Sequence, residues 1–109
     1  MPQTLIYITA ATRDEAVSIG RTLVESRLAA CANVLAGITS IYWWEGAVTE
    51  DDEVSLLVKT REELVDKVVE KVKEINSYDC PCVVSFPISG GNPAFLEWID
   101  AETADSIKG

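Results

Sequence analysis

NVLAGITSIYWWEGAVTEDDEVSLLVKT, residues 33–60, is the stretch on which the fold turns. Its first arm is dense in β-branched and aromatic residues, namely Val34, Ile38, Thr39, Ile41, Tyr42, Trp43 and Trp44. Such residues fit a pleated, half-buried surface. The second arm alternates, with Val54, Leu56 and Val58 on one face and Glu53, Ser55 and Lys59 on the other. That is the period-two signature of a strand. Between the arms lies Glu45-Gly46, whose glycine supplies the positive φ a tight hairpin needs. The stretch reads as one long β-hairpin.

Its length carries a consequence. An arm from Asn33 to Glu45 at ~3.3 Å per residue spans roughly 40 Å. A compact domain of this size has a radius of gyration of about 13 Å, hence a diameter of roughly 34 Å. Either Gly37 bends or bulges the arm, or the ribbon overhangs its own domain. An overhanging ribbon with Trp43 and Trp44 near its tip exposes both a strand edge and an apolar patch. A partner subunit is the simplest cover. Tyr42, Trp43 and Trp44, together with Trp98 near the C-terminus, are therefore expected at a subunit interface.

The rest of the composition is that of one soluble domain spanning residues 1–109. Apolar residues make up 48% and charged residues 25%, a balance that excludes a disordered chain. No apolar run approaches the ~20 residues needed to span a bilayer, so no membrane partner is expected. The N-terminus lacks a basic n-region and leads straight into a strand, which predicts no signal peptide. Three cysteines then read as reduced thiols in a cytoplasm. The net charge of −9 argues against nucleic acid, because no basic stripe is available to displace counterions from phosphates. There is no histidine, which removes every Ser-His or Cys-His nucleophile pair and the commonest metal ligand. No enzyme is expected: paired carboxylates exist, but nothing in the sequence pushes two of them into one identifiable cleft.

Taken in order, Thr4 to Ala10 is an apolar run of strand length. Thr12-Arg13-Asp14-Glu15 reads as a capping box opening a helix that ends near Ser26–Leu28. Thr60-Arg61-Glu62-Glu63 reads as a second capping box, before a helix with Leu64, Val65, Val68, Val69, Val72 and Ile75 as its apolar stripe. Val83-Val84-Ser85-Phe86 is a strand bracketed by Pro81 and Pro87. Asn92 caps a short last helix with Pro93 at its first position, and the polar tail after about Ala104 is expected to fray. The order predicts an α+β fold, a ferredoxin-like βαββαβ plait with a long β2–β3 hairpin and a C-terminal helix. The helices cover one sheet face, leaving the other to be covered by self-association.

The chain resembles the CutA divalent-cation tolerance proteins. The likeness rests on Asp14-Glu15-Ala16, Leu28-Ala29-Ala30-Cys31-Ala32-Asn33 and Ser40-Ile41-Tyr42-x-Trp44-Glu45-Gly46. It continues through Glu53, Lys59-Thr60, Tyr78-x-x-Pro81, Pro87-Ile88 with Gly91, and Phe95-Leu96-x-Trp98-Ile99. The resemblance implies a ferredoxin-like subunit in a tight homotrimer, similar in architecture to PII-like signalling proteins. It also implies a role in tolerance to copper and other divalent ions. Bacterial members of the family can carry a cysteine at the end of the first strand and His-His or His-Pro before the tyrosine, proposed as copper ligands. The matching positions here are Ala10, Ile75, Asn76 and Ser77, and Cys82 stands where a glutamate is usual.

Any metal contact must therefore use other residues. In Cys80-Pro81-Cys82, positions i and i+2 of an extended segment point the same way, so two thiolates can pinch a soft ion such as Cu(I). The alternative is that both are small buried hydrophobes. Cys31 joins them only if the fold brings it near. The run Glu50-Asp51-Asp52-Glu53 offers oxygen ligands, but alternation sends neighbours to opposite faces, and a solvated ribbon is the simpler reading. Ser89-Gly90-Gly91-Asn92 reads as a capped turn. The rival function is a PII-like sensor binding a small molecule or anion between subunits, near the hairpin and the Gly90-Gly91 loop.

Overall fold

The computed structural model describes residues 2–104; the tail expected to fray, 105–109, lies outside them. The chain runs β1 (Gln3–Ala10), α1 (Arg13–Glu25), β2 (Cys31–Trp44), β3 (Ala47–Arg61), a 3-10 turn (Glu62–Leu64), α2 (Val65–Ile75), β4 (Val83–Pro87) and α3 (Pro93–Thr103). The strands form one four-stranded sheet in the order β2-β3-β1-β4, every neighbouring pair antiparallel. This is the ferredoxin-like plait expected from the element order.

Alternation decides which face is the core. On β1, Ile6, Ile8 and Ala10 are fully buried and meet Leu56 and Val58 of β3, Ile19 and Leu23 of α1, and Val68 and Val72 of α2. Gly20 lets α1 come close. A Cβ at that position would lie 3.1 Å from Ala32 Cβ and 3.3 Å from Leu56 Cδ2, so a larger residue would push the helix off the sheet.

The hairpin both bulges and overhangs. Ala36 and Gly37 together oppose the single residue Val54, between the pairs Leu35↔Ser55 and Ile38↔Glu53. Gly37 has φ +81° there, a value that glycine adopts without steric cost. Beyond the bulge the ribbon continues to a two-residue turn in which Glu45 (φ +50°) and Gly46 (φ +80°) are both left-handed. Two positive φ values give the twist that matches a right-handed strand pair. The molecule is 44 Å long but only 28 × 22 Å across. Near the tip Trp43 is 73% exposed and Ile41 67%.

The bulge also resets the phase of alternation. Before it, Cys31, Asn33 and Leu35 share a face with Lys59, Leu57 and Ser55; after it, Ser40, Tyr42 and Trp44 share that same face with Asp51, Thr49 and Ala47. One extra residue thus carries Tyr42 and Trp44 onto the face opposite α1 and α2.

Two local expectations need correction. Thr60 does not cap α2: it is a buried strand residue, and its hydroxyl donates to the Leu28 carbonyl at 2.7 Å. No side chain caps the 3-10 turn that starts the helix instead, and Glu63 accepts from Arg61 at 2.7 Å. Half of the first capping box forms, with the Glu15 N–H donating to Thr12 Oγ1 at 3.1 Å. However, the Glu15 carboxylate takes the N–H of Ala11, at 3.0 Å, rather than that of Thr12.

The second sheet face is not bare. α3, capped by Asn92 as expected, lies across one end of it. Gln3 donates to Asp100 at 3.1 Å. The nearly buried Arg61 reaches the Thr103 hydroxyl at 2.8 Å and its carbonyl at 2.9 Å. The remainder of that face still exposes Leu35, Val84 and Phe86.

Candidate functional site

At the other end of this second face, where the hairpin leaves the domain, there is a cleft of about 650 Å³. Its floor is Tyr7 and Thr9 of β1, the residues that alternate away from Ile6 and Ile8. One wall is the hairpin, with Ser40, Tyr42, Trp44 and Glu53; the other is the segment Ser77, Tyr78, Asp79, Cys80 and Cys82 leading into β4.

That segment is irregular yet tied down at three successive residues. The Asn76 side chain donates to the Thr9 carbonyl at 3.2 Å. The Ser77 N–H and hydroxyl both donate to the Glu15 carboxylate, at 2.8 and 3.1 Å. The Tyr78 phenol donates to Glu53 at 2.6 Å. Burial works upward on the Glu15 carboxyl, but the three hydrogen bonds from Ala11 and Ser77 outweigh it and hold the group below the usual range. Tyr78 is pushed well above the ordinary phenol range, first by burial and then by its bond to the Glu53 carboxylate. Tyr42 is raised in the same direction, chiefly because it donates to Asp51.

Cys82 is half-buried and Cys80 exposed, both as free thiols. Burial pushes the Cys82 thiol up and the nearby Glu53 charge adds to this, while a hydrogen bond with Thr9 works the other way. Cys82 is therefore protonated at neutral pH, and an incoming metal must displace that proton.

The sequence-predicted site residues separate in space. Cys80 and Cys82 line the cleft together. Cys31 does not join them: it lies on β2, paired with Lys59 of β3, at the far edge of the sheet from β4, three strand spacings or roughly 14 Å away across the sheet. Ala10, at the family's cysteine position, is fully buried in the core. Among the described residues, no three Cys, Asp or Glu side chains converge as metal ligands. Tyr42 and Trp44 face the cleft, while Trp43 is on the opposite face of the ribbon, across from Val48. Trp98 lies on α3 with its ring 5.4 Å from that of Phe95. The Gly90-Gly91 loop follows β4 beyond Pro87, which pairs with Thr4, so within one subunit it sits at the end of the sheet away from the hairpin. Sequence reading did not pick out Tyr7, Thr9, Ser40, Tyr78 or Asp79 as lining residues, and it reached Ser77 only as a position matching the family's histidines. A single aromatic among the aliphatic residues of β1, out of phase with Ile6 and Ile8, was the available signal for Tyr7.

The family described as CutA1 divalent ion tolerance protein matches residues 4–102. The divalent-cation tolerance protein CutA of Thermus thermophilus is 43% identical over 99 residues, which covers 91% of this chain and 96% of that protein. The chloroplastic protein CutA 1 of rice (Oryza sativa subsp. japonica) is 41% identical over 106 residues, or 97% of this chain. The chain spans only 60% of that plant protein's length. Among solved structures, the periplasmic divalent cation tolerance protein CutA from Archaeoglobus fulgidus superposes with a TM-score of 0.90 at 42% identity, covering 93% of this chain and 98% of that one. With its plait, its hairpin and almost its whole length accounted for, the chain belongs to the CutA1 divalent ion tolerance family.

Proposed function

We propose that the protein is a non-catalytic, cytoplasmic homotrimer that acts in tolerance to divalent metal ions such as copper, and that it contacts soft metal through the thiolates of Cys80 and Cys82. The observation carrying the assembly is the overhanging ribbon, where Trp43, Ile41 and Val48 are all more than 60% exposed. A contiguous apolar patch of this kind marks an interaction surface. The metal contact rests on the two thiols sharing one cleft wall. Cys31 could complete a three-thiolate site only through a neighbouring subunit. The test is Cu(I) uptake measured with subunit mass. One equivalent or more per subunit, lost in the Cys80→Ser, Cys82→Ser double variant, supports the assignment; undiminished uptake by that variant removes it.

A second reading is favoured by the cleft itself. Its volume of about 650 Å³ lies within the range of roughly 300–1,000 Å³ that holds small ligands. In this reading the protein is a PII-like sensor whose ligand enters the cleft beside the hairpin.

A further inference from the structure

We propose that the cleft takes a small organic cation of the alkylammonium class, its charge beside Glu53 and its alkyl groups against Tyr7, Tyr42, Trp44 and Tyr78. The inference deepens the sensor reading and rests on it.

Four aromatic side chains line one cavity together with the carboxylates of Glu53 and Asp79, and no Lys or Arg lines it. Within one subunit Tyr42 is 38% and Trp44 58% exposed. Aromatic ring faces carry negative potential and attract alkylated ammonium groups, which are large, weakly hydrated cations that need no hydrogen-bond acceptors. Glu53 supplies the counter-charge. Its carboxylate accepts one hydrogen bond, from Tyr78, leaving acceptor capacity unused. Among the described residues, the ion pairs are Arg27–Glu102, Arg61–Glu63, Lys71–Glu74 and Lys73–Glu70, and none of them neutralises Glu53.

The alternatives fit less well. An anion finds two carboxylates and no cation. A small hydrated divalent ion wants several oxygen or sulfur ligands at once, and among the described residues no three Cys, Asp or Glu side chains converge. A neutral apolar molecule leaves the half-buried carboxylate without a counter-charge.

The test uses the intact protein and three probes by calorimetry and indole fluorescence: choline, its neutral carbon isostere 3,3-dimethylbutan-1-ol, and inorganic phosphate. Choline should bind at least about tenfold more tightly than the isostere, as a desolvated cation–aromatic contact allows, and should quench or shift indole emission. Glu53→Gln keeps an acceptor for Tyr78 while removing the charge, and it should weaken choline by about tenfold or more. Trp44→Leu should abolish the fluorescence response. Equal affinity for choline and the isostere, or an unaffected Glu53→Gln variant of native circular dichroism, overturns the cation assignment while the sensor reading survives. Binding of phosphate at the cleft reverses the sign of the ligand and likewise overturns it. Failure of all three probes to bind removes both readings.

Discussion

The Tyr78 phenol and the Glu53 carboxylate meet at 2.6 Å across 25 positions of sequence, and this bond joins the segment before β4 to the root of the hairpin. A bond of this kind to a charged acceptor contributes about 1.5–3 kcal/mol when buried and less when half-exposed, as here. Tyr78→Phe is therefore expected to lower stability by about 1 kcal/mol, read from denaturant midpoints. The pH dependence has a definite sign. The phenol's affinity for its proton is higher in the folded state than in the unfolded chain. Its contribution is therefore fully present below the ordinary tyrosine value of 10.0 and is lost as pH climbs through the folded value. Ultraviolet titration should show phenols ionising late, one fewer of them in Tyr78→Phe.

Glu15 behaves in the opposite sense. Its carboxyl is held below the ordinary carboxyl value of 4.5 by Ala11 and Ser77, so what it contributes is present above that value and disappears as pH falls through the depressed one. Glu15→Gln should speed hydrogen exchange at the Ser77 amide at neutral pH. In the wild type the same amide should lose protection only under acid.

Arg61 is the staple of α3. Its guanidinium is nearly buried and binds the Thr103 hydroxyl, the Thr103 carbonyl and Glu63. Arg61→Met keeps the stem and removes three charge-assisted contacts, with an expected loss of roughly 2–3 kcal/mol. The fall in stability should come with early exchange of α3 amides; a uniform fall across the fold would contradict the staple.

Gly37→Ala isolates the cost of the bulge. A Cβ there meets nothing within 4 Å, yet φ is +81°. The penalty is conformational and should be about 1 kcal/mol, with no cavity or clash contribution. Thermal unfolding should shift down by about 4–8 °C for a domain of this size.

Metal uptake at Cys80 and Cys82 should tighten as pH rises. Cys82 is held protonated by burial and by the Glu53 charge, so each rise in pH lowers the proton competition. Cu(I) affinity measured by competition should climb between neutral and mildly alkaline pH, and Glu53→Gln should flatten the slope.

Much of this was legible from local pattern. Ile6, Ile8, Leu56 and Val58 declare their face by alternation, Val68 and Val72 by helical spacing, and Asn92-Pro93 announces a helix start. Contacts distant in sequence were not legible. Thr60 followed by Glu63 satisfies the capping pattern, but a carbonyl 32 residues away, that of Leu28, claims the hydroxyl first. The length of the arm flagged Gly37, yet the phase change it imposes on Tyr42 and Trp44 follows only from the register with β3. The cleft needed the most long-range information of all. Its floor, hairpin wall and loop wall come from three separate segments, brought together by Asn76, Ser77 and Tyr78.

The central claim is that the ribbon from Cys31 to Arg61 is completed by other copies of the chain. Light scattering coupled to size exclusion, at dilute protein concentration, tests it most directly. The account predicts a particle of three subunits whose Trp43 emission is blue-shifted by a neighbour, and which dissociates when Trp43 and Ile41 are replaced by Ser. A stable, folded single subunit with fully solvated indole emission would contradict it.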